Sequence, residues 1–121
     1  MKYRESEEMY LETIYLLKNK KASVRSIDIV TELGVSRPSV SRAVGLLQKK
    51  GYIEIKPNGE IIFTEQGVVK AKSIFDRHNI ITNVLIKIGA DKDLAEENAC
   101  RFEHAISDEL LSVMKKYLQN D

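Results

Sequence analysis

The sequence predicts a mainly α-helical protein with one small β-hairpin, and three observations support this. Apolar residues recur at helical spacing over most of the 121 residues, and serines or aspartates precede the predicted helices. Two short apolar segments at 52–56 and 60–63 flank an Asn-Gly pair, which is typical of a hairpin. No apolar stretch approaches the roughly 18 residues needed to cross a bilayer.

The first three predicted helices lie in the first 50 residues. Ser6 precedes two glutamates and caps the first helix, which the pattern extends to about Asn19. The second helix covers 26–33 and ends at Gly34, which can adopt a left-handed conformation. Ser36 caps the third helix. In the second helix the inward residues are expected to be Ile27, Val30 and Leu33.

Three more helices are predicted after the hairpin. Thr64 caps the fourth, which reaches at least Arg77 and in the same pattern extends to Ile88, before Gly89. A fifth helix is expected from Asp91 or Asp93 to about Ile106, and Ser107 caps a last one. The prediction therefore contains six helices and two strands.

The order helix, short turn, helix, hairpin, helix is that of a winged helix-turn-helix, whose second helix enters the major groove of DNA. Charge supports this although the net charge is only +1, because 13–50 carries eight basic and two acidic residues. By contrast, 73–121 carries six basic and nine acidic residues. We predict a DNA-binding domain over 1–72 and a cation-binding or dimer-forming domain over 73–121.

Candidate DNA contacts cluster at the start of the third helix, where arginines can bond to guanine edges or phosphates and serines to either. A further basic side chain near the second helix is expected to contact phosphate. The predicted DNA-binding residues are Arg25, Ser36, Arg37, Pro38, Ser39, Ser41 and Arg42. The same arrangement also occurs in protein-interaction modules, which is the alternative for this domain.

Cys100, Glu103 and His104 are spaced so that a helix would place a thiolate, a carboxylate and an imidazole on one face. Three such donors are compatible with a divalent metal site, but spacing alone does not favour it over a core cysteine and a surface Glu-His pair. Two alternatives remain for the one cysteine: a buried apolar side chain, or a thiol redox sensor without metal. A metal-dependent hydrolase is disfavoured, because the sequence has no Gly-rich phosphate loop and no His-Glu-x-x-His pattern.

Three segments resemble the diphtheria-toxin-repressor family of iron- and manganese-dependent regulators. They are Glu-Met-Tyr-Leu-Glu-Thr-Ile-Tyr at 8–15, Ser-Arg-Pro-Ser-Val-Ser at 36–41, and Ala-Cys-Arg-Phe-Glu-His-Ala-Ile-Ser at 99–107. The resemblance implies a transcriptional repressor rather than an enzyme, with a helical dimerisation and metal-binding domain after the winged helix-turn-helix. It covers nearly the whole chain. We expect a short, cytoplasmic form without the SH3-like domain of many iron-responsive relatives.

The same resemblance implies the ligands. The family's primary site corresponds to Met9, Cys100, Glu103 and His104. For an ancillary site, His78 matches a histidine of the family and Glu12 matches a glutamate of the manganese-responsive branch. Where the iron-responsive branch has a glutamate and a histidine, this chain has Thr82 and Glu96, so the ancillary site matches neither branch fully and Glu96 is the weaker candidate.

Fe(II) is the expected physiological metal, although the affinity order alone favours Zn(II) or Cu(II) and availability in the cell has to decide between them. Thiolate and thioether are softer than carboxylates and suit Fe(II), Co(II), Ni(II) or Zn(II) better than Mn(II), which is the second choice. The expected partners are a palindromic operator DNA and a second copy of the chain, without a membrane or a small organic substrate.

Overall fold

The computed structural model describes residues 6–120, apart from the side chain of Phe102, so the predicted domain ends at Met1 and Asp121 lie outside it. The elements in chain order are α1 (Glu7–Lys20), α2 (Ser26–Leu33), α3 (Arg37–Lys49), β1 (Ile53–Ile55), β2 (Ile61–Phe63), α4 (Glu65–Lys87), α5 (Lys92–Phe102) and α6 (Asp108–Gln119). The predicted fold class, mainly helical with one hairpin, is confirmed. The chain divides into two compact units between Ser73 and Ile74, within α4.

In the N-terminal unit, which ends at Ser73, the first three helices pack around a shared apolar core. Leu11 and Ile14 of α1 are fully buried, as are Ile29 of α2 and Val40 of α3. Burying each such side chain contributes about 1.5–3 kcal/mol. The expected orientation of α2 was wrong at one position, because Ile27 is 46% exposed and Ile29 takes the inward place.

The helix ends of this unit form at the predicted residues because their signals are local. The Ser6 hydroxyl accepts from the Met9 amide at 3.1 Å, and α2 ends at Gly34 with φ of 67°. Ser36 has extended backbone angles, and its hydroxyl accepts from the Ser39 amide at 3.2 Å. Short polar side chains favour these positions because they satisfy amides that the helix leaves unbonded.

The hairpin is antiparallel, with Ile53 opposite Phe63 and Ile55 opposite Ile61. Its loop is Pro57-Asn58-Gly59, the segment that the sequence places between the two strands. The Gly59 amide donates to the Lys56 carbonyl at 2.8 Å. Gly59 has a positive φ, which within residues 6–120 occurs only at glycines. The hairpin loop therefore consists of three residues and ends in a left-handed glycine, as the predicted segments at 52–56 and 60–63 imply.

The junction of the hairpin with α4 is held by Thr64, as the sequence predicted. The Thr64 hydroxyl accepts from the Gly67 amide at 3.0 Å and donates to the Gly51 carbonyl at 2.6 Å. Beyond it, α4 continues without interruption through both units to Lys87, and the chain turns at Gly89 with φ of 119°. No helix within residues 6–120 is long and apolar enough to cross a membrane.

The C-terminal unit, which begins at Ile74, contains the rest of α4 together with α5 and α6. Asp91 caps α5 by accepting from the Leu94 amide at 2.9 Å. The expectation that this helix continues to about Ile106 was wrong, because it ends at Phe102. Ser107 adopts extended angles and accepts from the Leu110 amide at 3.1 Å, so capping of α6 competes with further extension of α5.

Candidate functional site

The exposed start of α3 carries most of the predicted DNA contacts. The hydroxyl of Ser39 accepts from the Ser36 hydroxyl at 2.9 Å and from the Arg42 guanidinium at 3.4 Å. Arg37, Arg42 and Ser41 are exposed. Pro38 occupies the first turn, where its missing amide hydrogen removes no helical bond. This end of α3 therefore presents two cations and three hydroxyls to solvent next to the positive end of the helix dipole.

Arg25 lies apart from this cluster, at the residue before α2. Its Nε donates to the Asn58 carbonyl in the hairpin loop at 3.1 Å, and its amide donates to Asp28 at 2.8 Å. Lys21 also pairs with Asp28, and the pKa of this carboxyl lies below its ordinary value of 3.8, mainly because of the bond from Lys21 and then that from Arg25. Arg25 thus connects the start of α2 to the hairpin loop.

The C-terminal unit brings three predicted ligands together. His78 of α4, Cys100 of α5 and Glu103 each offer one ligand atom, and these atoms all lie within 4.8 Å of one another. The His78 Nδ1 lies 2.6 Å from Glu103 Oε2 and 3.9 Å from Cys100 Sγ. An imidazole, a carboxylate and a thiol in this arrangement are a donor set that a divalent transition metal can occupy.

Glu103 is the centre of this cluster. It is 1% exposed, and a buried carboxylate requires charged or hydrogen-bonded partners. One of its oxygens contacts His78, and the other lies 3.1 Å from the His104 Nε2. Glu103 and His104 are in the turn that follows α5 rather than in the helix, but Glu103 keeps helical angles (φ −60°, ψ −28°), so its side chain still lies beside that of Cys100.

The remaining ligand candidates are distributed over both units. Met9 and Glu12 lie in α1, where Met9 is half-buried and Glu12 is 8% exposed. In the C-terminal unit, Thr82 is one turn beyond His78 on α4 and is buried, whereas Glu96 is exposed on α5.

One residue beside the cluster was not predicted. Arg77 precedes His78 on α4, and its guanidinium donates to the Glu103 carbonyl at 3.3 Å. An arginine in a helix has no spacing signal that would indicate a partner 26 residues away.

Comparison with known families accounts for both halves of the chain. Residues 2–61 match "Iron dependent repressor, N-terminal DNA binding domain", and residues 64–120 match "Iron dependent repressor, metal binding and dimerisation domain". The chain belongs to the iron-dependent repressor family. The resemblance to the diphtheria toxin repressor and to metal-dependent transcriptional repressors is thereby confirmed, and the family consists of transcriptional regulators.

Individual members of the iron-dependent repressor family agree with this assignment. An HTH-type transcriptional regulator of Methanocaldococcus jannaschii is 34% identical over 95% of this chain and 94% of its own length. The transcriptional regulator MntR of Escherichia coli O6:H1 is 31% identical over 96% of this chain and 75% of its own length.

A solved structure, that of the manganese regulator SloR, superimposes with a TM-score of 0.84 at 25% identity. The match covers 98% of this chain but 55% of SloR, so the chain spans about half the length of that relative.

Proposed function

We propose that this protein is an Fe(II)-responsive repressor that binds a palindromic operator as a homodimer in the cytoplasm and has no enzymatic activity. The observation that carries the proposal is the cluster of His78, Cys100 and Glu103, whose donor atoms lie within 4.8 Å of one another. The unit that contains the exposed cationic start of α3 supplies the DNA-binding half.

The donor set fits a divalent metal, and the types of donor atom favour some metals over others. A thiolate from Cys100 binds Fe(II), Co(II), Ni(II) or Zn(II) better than Mn(II), which prefers oxygen ligands. Glu103, with one oxygen towards each histidine, has the position of a central ligand. The family resemblance adds Met9 and Glu12 as ligands. Because the family resemblance points to iron or manganese and the thiolate prefers the former, we place Fe(II) first and Mn(II) second, with Co(II), Ni(II) and Zn(II) as substitutes in vitro.

Repression then follows from linkage. Metal that binds more tightly to the DNA-binding form raises DNA affinity, and DNA raises metal affinity by the same factor. A dimer would place two recognition helices about one helical turn apart, roughly 34 Å, on two half-sites. Exposed apolar side chains in the C-terminal unit provide a surface for a second copy, in agreement with the family description of this half. They are Ile86, Ile88, Leu94, Leu110, Val113 and Tyr117.

The decisive experiment measures operator binding with and without metal. The protein is first stripped of metal and then supplied with Fe(II) under anaerobic conditions. In this form it is used to select a duplex from random-sequence DNA. Fluorescence anisotropy then gives the dissociation constant with Fe(II), with Mn(II) and with chelator. We expect Fe(II) to tighten binding at least tenfold more than Mn(II) at equal free concentration. Equal binding in chelator would contradict metal sensing, and a stronger response to Mn(II) would reverse the order of the metals.

Ligand variants separate the alternatives. Glu103→Gln should abolish the Fe(II) response, whereas Glu97→Gln, an exposed carboxylate of α5 that pairs with Arg101, is the matched control. A thiol redox sensor would instead respond to oxidant in chelator and would tolerate Glu103→Gln. If no duplex is selected at low salt, the winged helix-turn-helix is a protein-interaction module.

Arg42→Ala tests the DNA face. Loss of a base contact costs about 1–3 kcal/mol of discrimination at one operator position, whereas loss of a phosphate contact weakens binding to all sequences and lowers the salt dependence. Lys115→Ala, an exposed cation of α6, is the control.

A further inference from the structure

Arg77 of α4 forms a link between the candidate metal cluster and α6. One terminal nitrogen of its guanidinium donates to the Glu103 carbonyl at 3.3 Å, and the other lies 3.4 Å from Asp108 Oδ1. The Arg77 side chain is 17% exposed, whereas that of Asp108 is 92% exposed. The Arg77 side chain is therefore largely enclosed by protein, whereas the Asp108 carboxylate contacts its guanidinium from the solvent side.

These two contacts bracket the connection between α5 and α6. Glu103 begins this connection, Ser107 ends it, and Asp108 is the first residue of α6. A planar guanidinium has donors in fixed directions, so it holds both partners in one geometry, which a flexible ammonium does not. Arg77 thus fixes the start of α6 relative to the backbone of Glu103.

A second cation of α4 holds the other end of α6. Lys87 Nζ donates to the carbonyls of Tyr117 and Asn120 at 2.7 and 2.8 Å and lies 4.2 Å above the Tyr117 ring. Arg77 and Lys87 are separated by about 15 Å along a helix. The two helices consequently run in the same direction. The contact at the Lys87 end does not involve the cluster, whereas the Arg77 guanidinium contacts both the Glu103 carbonyl and Asp108 of α6.

We propose that Arg77 is a positioning residue that couples metal binding at Glu103 to the placement of α6. This rests on the proposed metal site. When Glu103 is fixed by a metal, its carbonyl fixes the guanidinium, and the guanidinium fixes Asp108. Because α6 exposes Leu110, Val113 and Tyr117 on spacings of three and four, its placement determines an apolar surface available to a second copy of the chain. Metal affinity and self-association are thus linked through Arg77.

Co(II) is the probe, because the charge-transfer absorption between Co(II) and the Cys100 thiolate shows whether Cys100 is a ligand. This readout is separate from the stability of the protein. Co(II) affinity is measured by competition with a chelator, and self-association is measured by sedimentation velocity with and without Co(II). Arg77→Met removes the contacts to Glu103 and to Asp108. Arg77→Lys keeps the positive charge but lacks the fixed donor directions of a guanidinium. Asp108→Ala removes only the contact between Arg77 and α6. Arg101→Met is the control, because that arginine pairs with Glu97 on its own helix.

We expect Arg77→Met to lower Co(II) affinity about tenfold or more, as for other residues that orient metal ligands, and to keep the charge-transfer band. Arg77→Lys should recover part of this affinity. Asp108→Ala should leave the Co(II) affinity of the monomer nearly unchanged but remove most of the tightening of the dimer by Co(II), so its dimer should lose Co(II) affinity by the same factor. If Arg77→Met does not fold, Arg77→Lys and Asp108→Ala give the test.

Three results would overturn the coupling: affinity of Arg77→Met equal to that of Arg101→Met, full Co(II)-dependent tightening in Asp108→Ala, or a wild-type dimer that does not respond to bound Co(II). Failure of the wild-type protein to bind Co(II) is a different result, because it overturns the metal site itself and the coupling with it.

Discussion

Gly67 is a position where the structure allows no side chain. It lies in the first turn of α4, and a Cβ added there would be 1.8 Å from the Tyr52 carbonyl oxygen and 3.1 Å from the Phe63 ring. The nearest atom is backbone and cannot rotate away. Moving this oxygen to ordinary contact at 3.4 Å requires a shift of about 1.6 Å at the entry to the hairpin.

The loss of stability in Gly67→Ala can be worked out from the bonds that this shift breaks. The Tyr52 carbonyl accepts from the Thr64 amide at 3.0 Å, whereas the single hydroxyl hydrogen of Thr64 is directed mainly to the Gly51 carbonyl at 2.6 Å and reaches Tyr52 only at 3.1 Å. The amide bond contributes about 1 kcal/mol, and forced overpacking costs about 1–3 kcal/mol. Alanine returns at most about 1 kcal/mol through its higher helix propensity. The net prediction is a loss of about 2 kcal/mol.

Urea denaturation followed by circular dichroism measures this, with Gly45→Ala as the matched control. Gly45 is also in a helix, α3, but a Cβ there meets no atom within 4 Å. That variant should gain up to about 1 kcal/mol from propensity alone. The two alanine substitutions are therefore predicted to change stability in opposite directions. A Gly67→Ala protein at least as stable as the wild type would refute the packing argument.

Three further predictions concern polar contacts. Asp28→Asn should destabilise the protein near neutral pH, because a carboxylate whose pKa is lowered by folding stabilises the folded state fully above its unfolded pKa. The difference should shrink as pH falls below about 3.8 and vanish once pH is below the folded pKa; urea titrations across this range check it. Lys87→Met should speed amide exchange in the last turn of α6, since two carbonyls there lose their donor. Arg25→Met should speed exchange around Asn58 about fivefold, the equivalent of one hydrogen bond near 1 kcal/mol. Unchanged exchange rates would contradict the last two.

The parts of the fold that the sequence predicts correctly depend on neighbouring residues. Ser6, Ser36 and Ser107 cap helices because a short hydroxyl side chain satisfies amides two or three residues away. The orientation of α2, in contrast, does not depend on neighbouring residues alone. Ile27 and Ile29 are both apolar, and which one is buried depends on how α2 packs with α1 and α3, which its own eight residues do not encode.

For the site, spacing alone brings Cys100 and Glu103 together, and the structure places them on adjoining ligand positions with His78. His78 itself is 22 residues from Cys100, so helix periodicity could not link them and the family resemblance supplied the candidate. Arg77 was missed for the same physical reason, because its two partners are 26 and 31 residues away. Local spacing predicts that Cys100 and Glu103 are neighbours, but the approach of His78 and the contacts of Arg77 depend on tertiary packing.

The early end of α5 bears on why a cation would bind at this place. The last carbonyls of a helix carry a partial negative charge, which favours cations within the final turn. Because α5 ends at Phe102, Cys100 lies in that turn and Glu103 directly follows it. Arg77 already bonds to the Glu103 carbonyl there. Had α5 continued to Ile106, the same side chains would lie mid-helix, where backbone carbonyls are bonded within the helix. The termination therefore adds backbone electrostatics to the donor set, and extending α5 by substituting Ser107 with alanine should weaken Co(II) binding as well as α6.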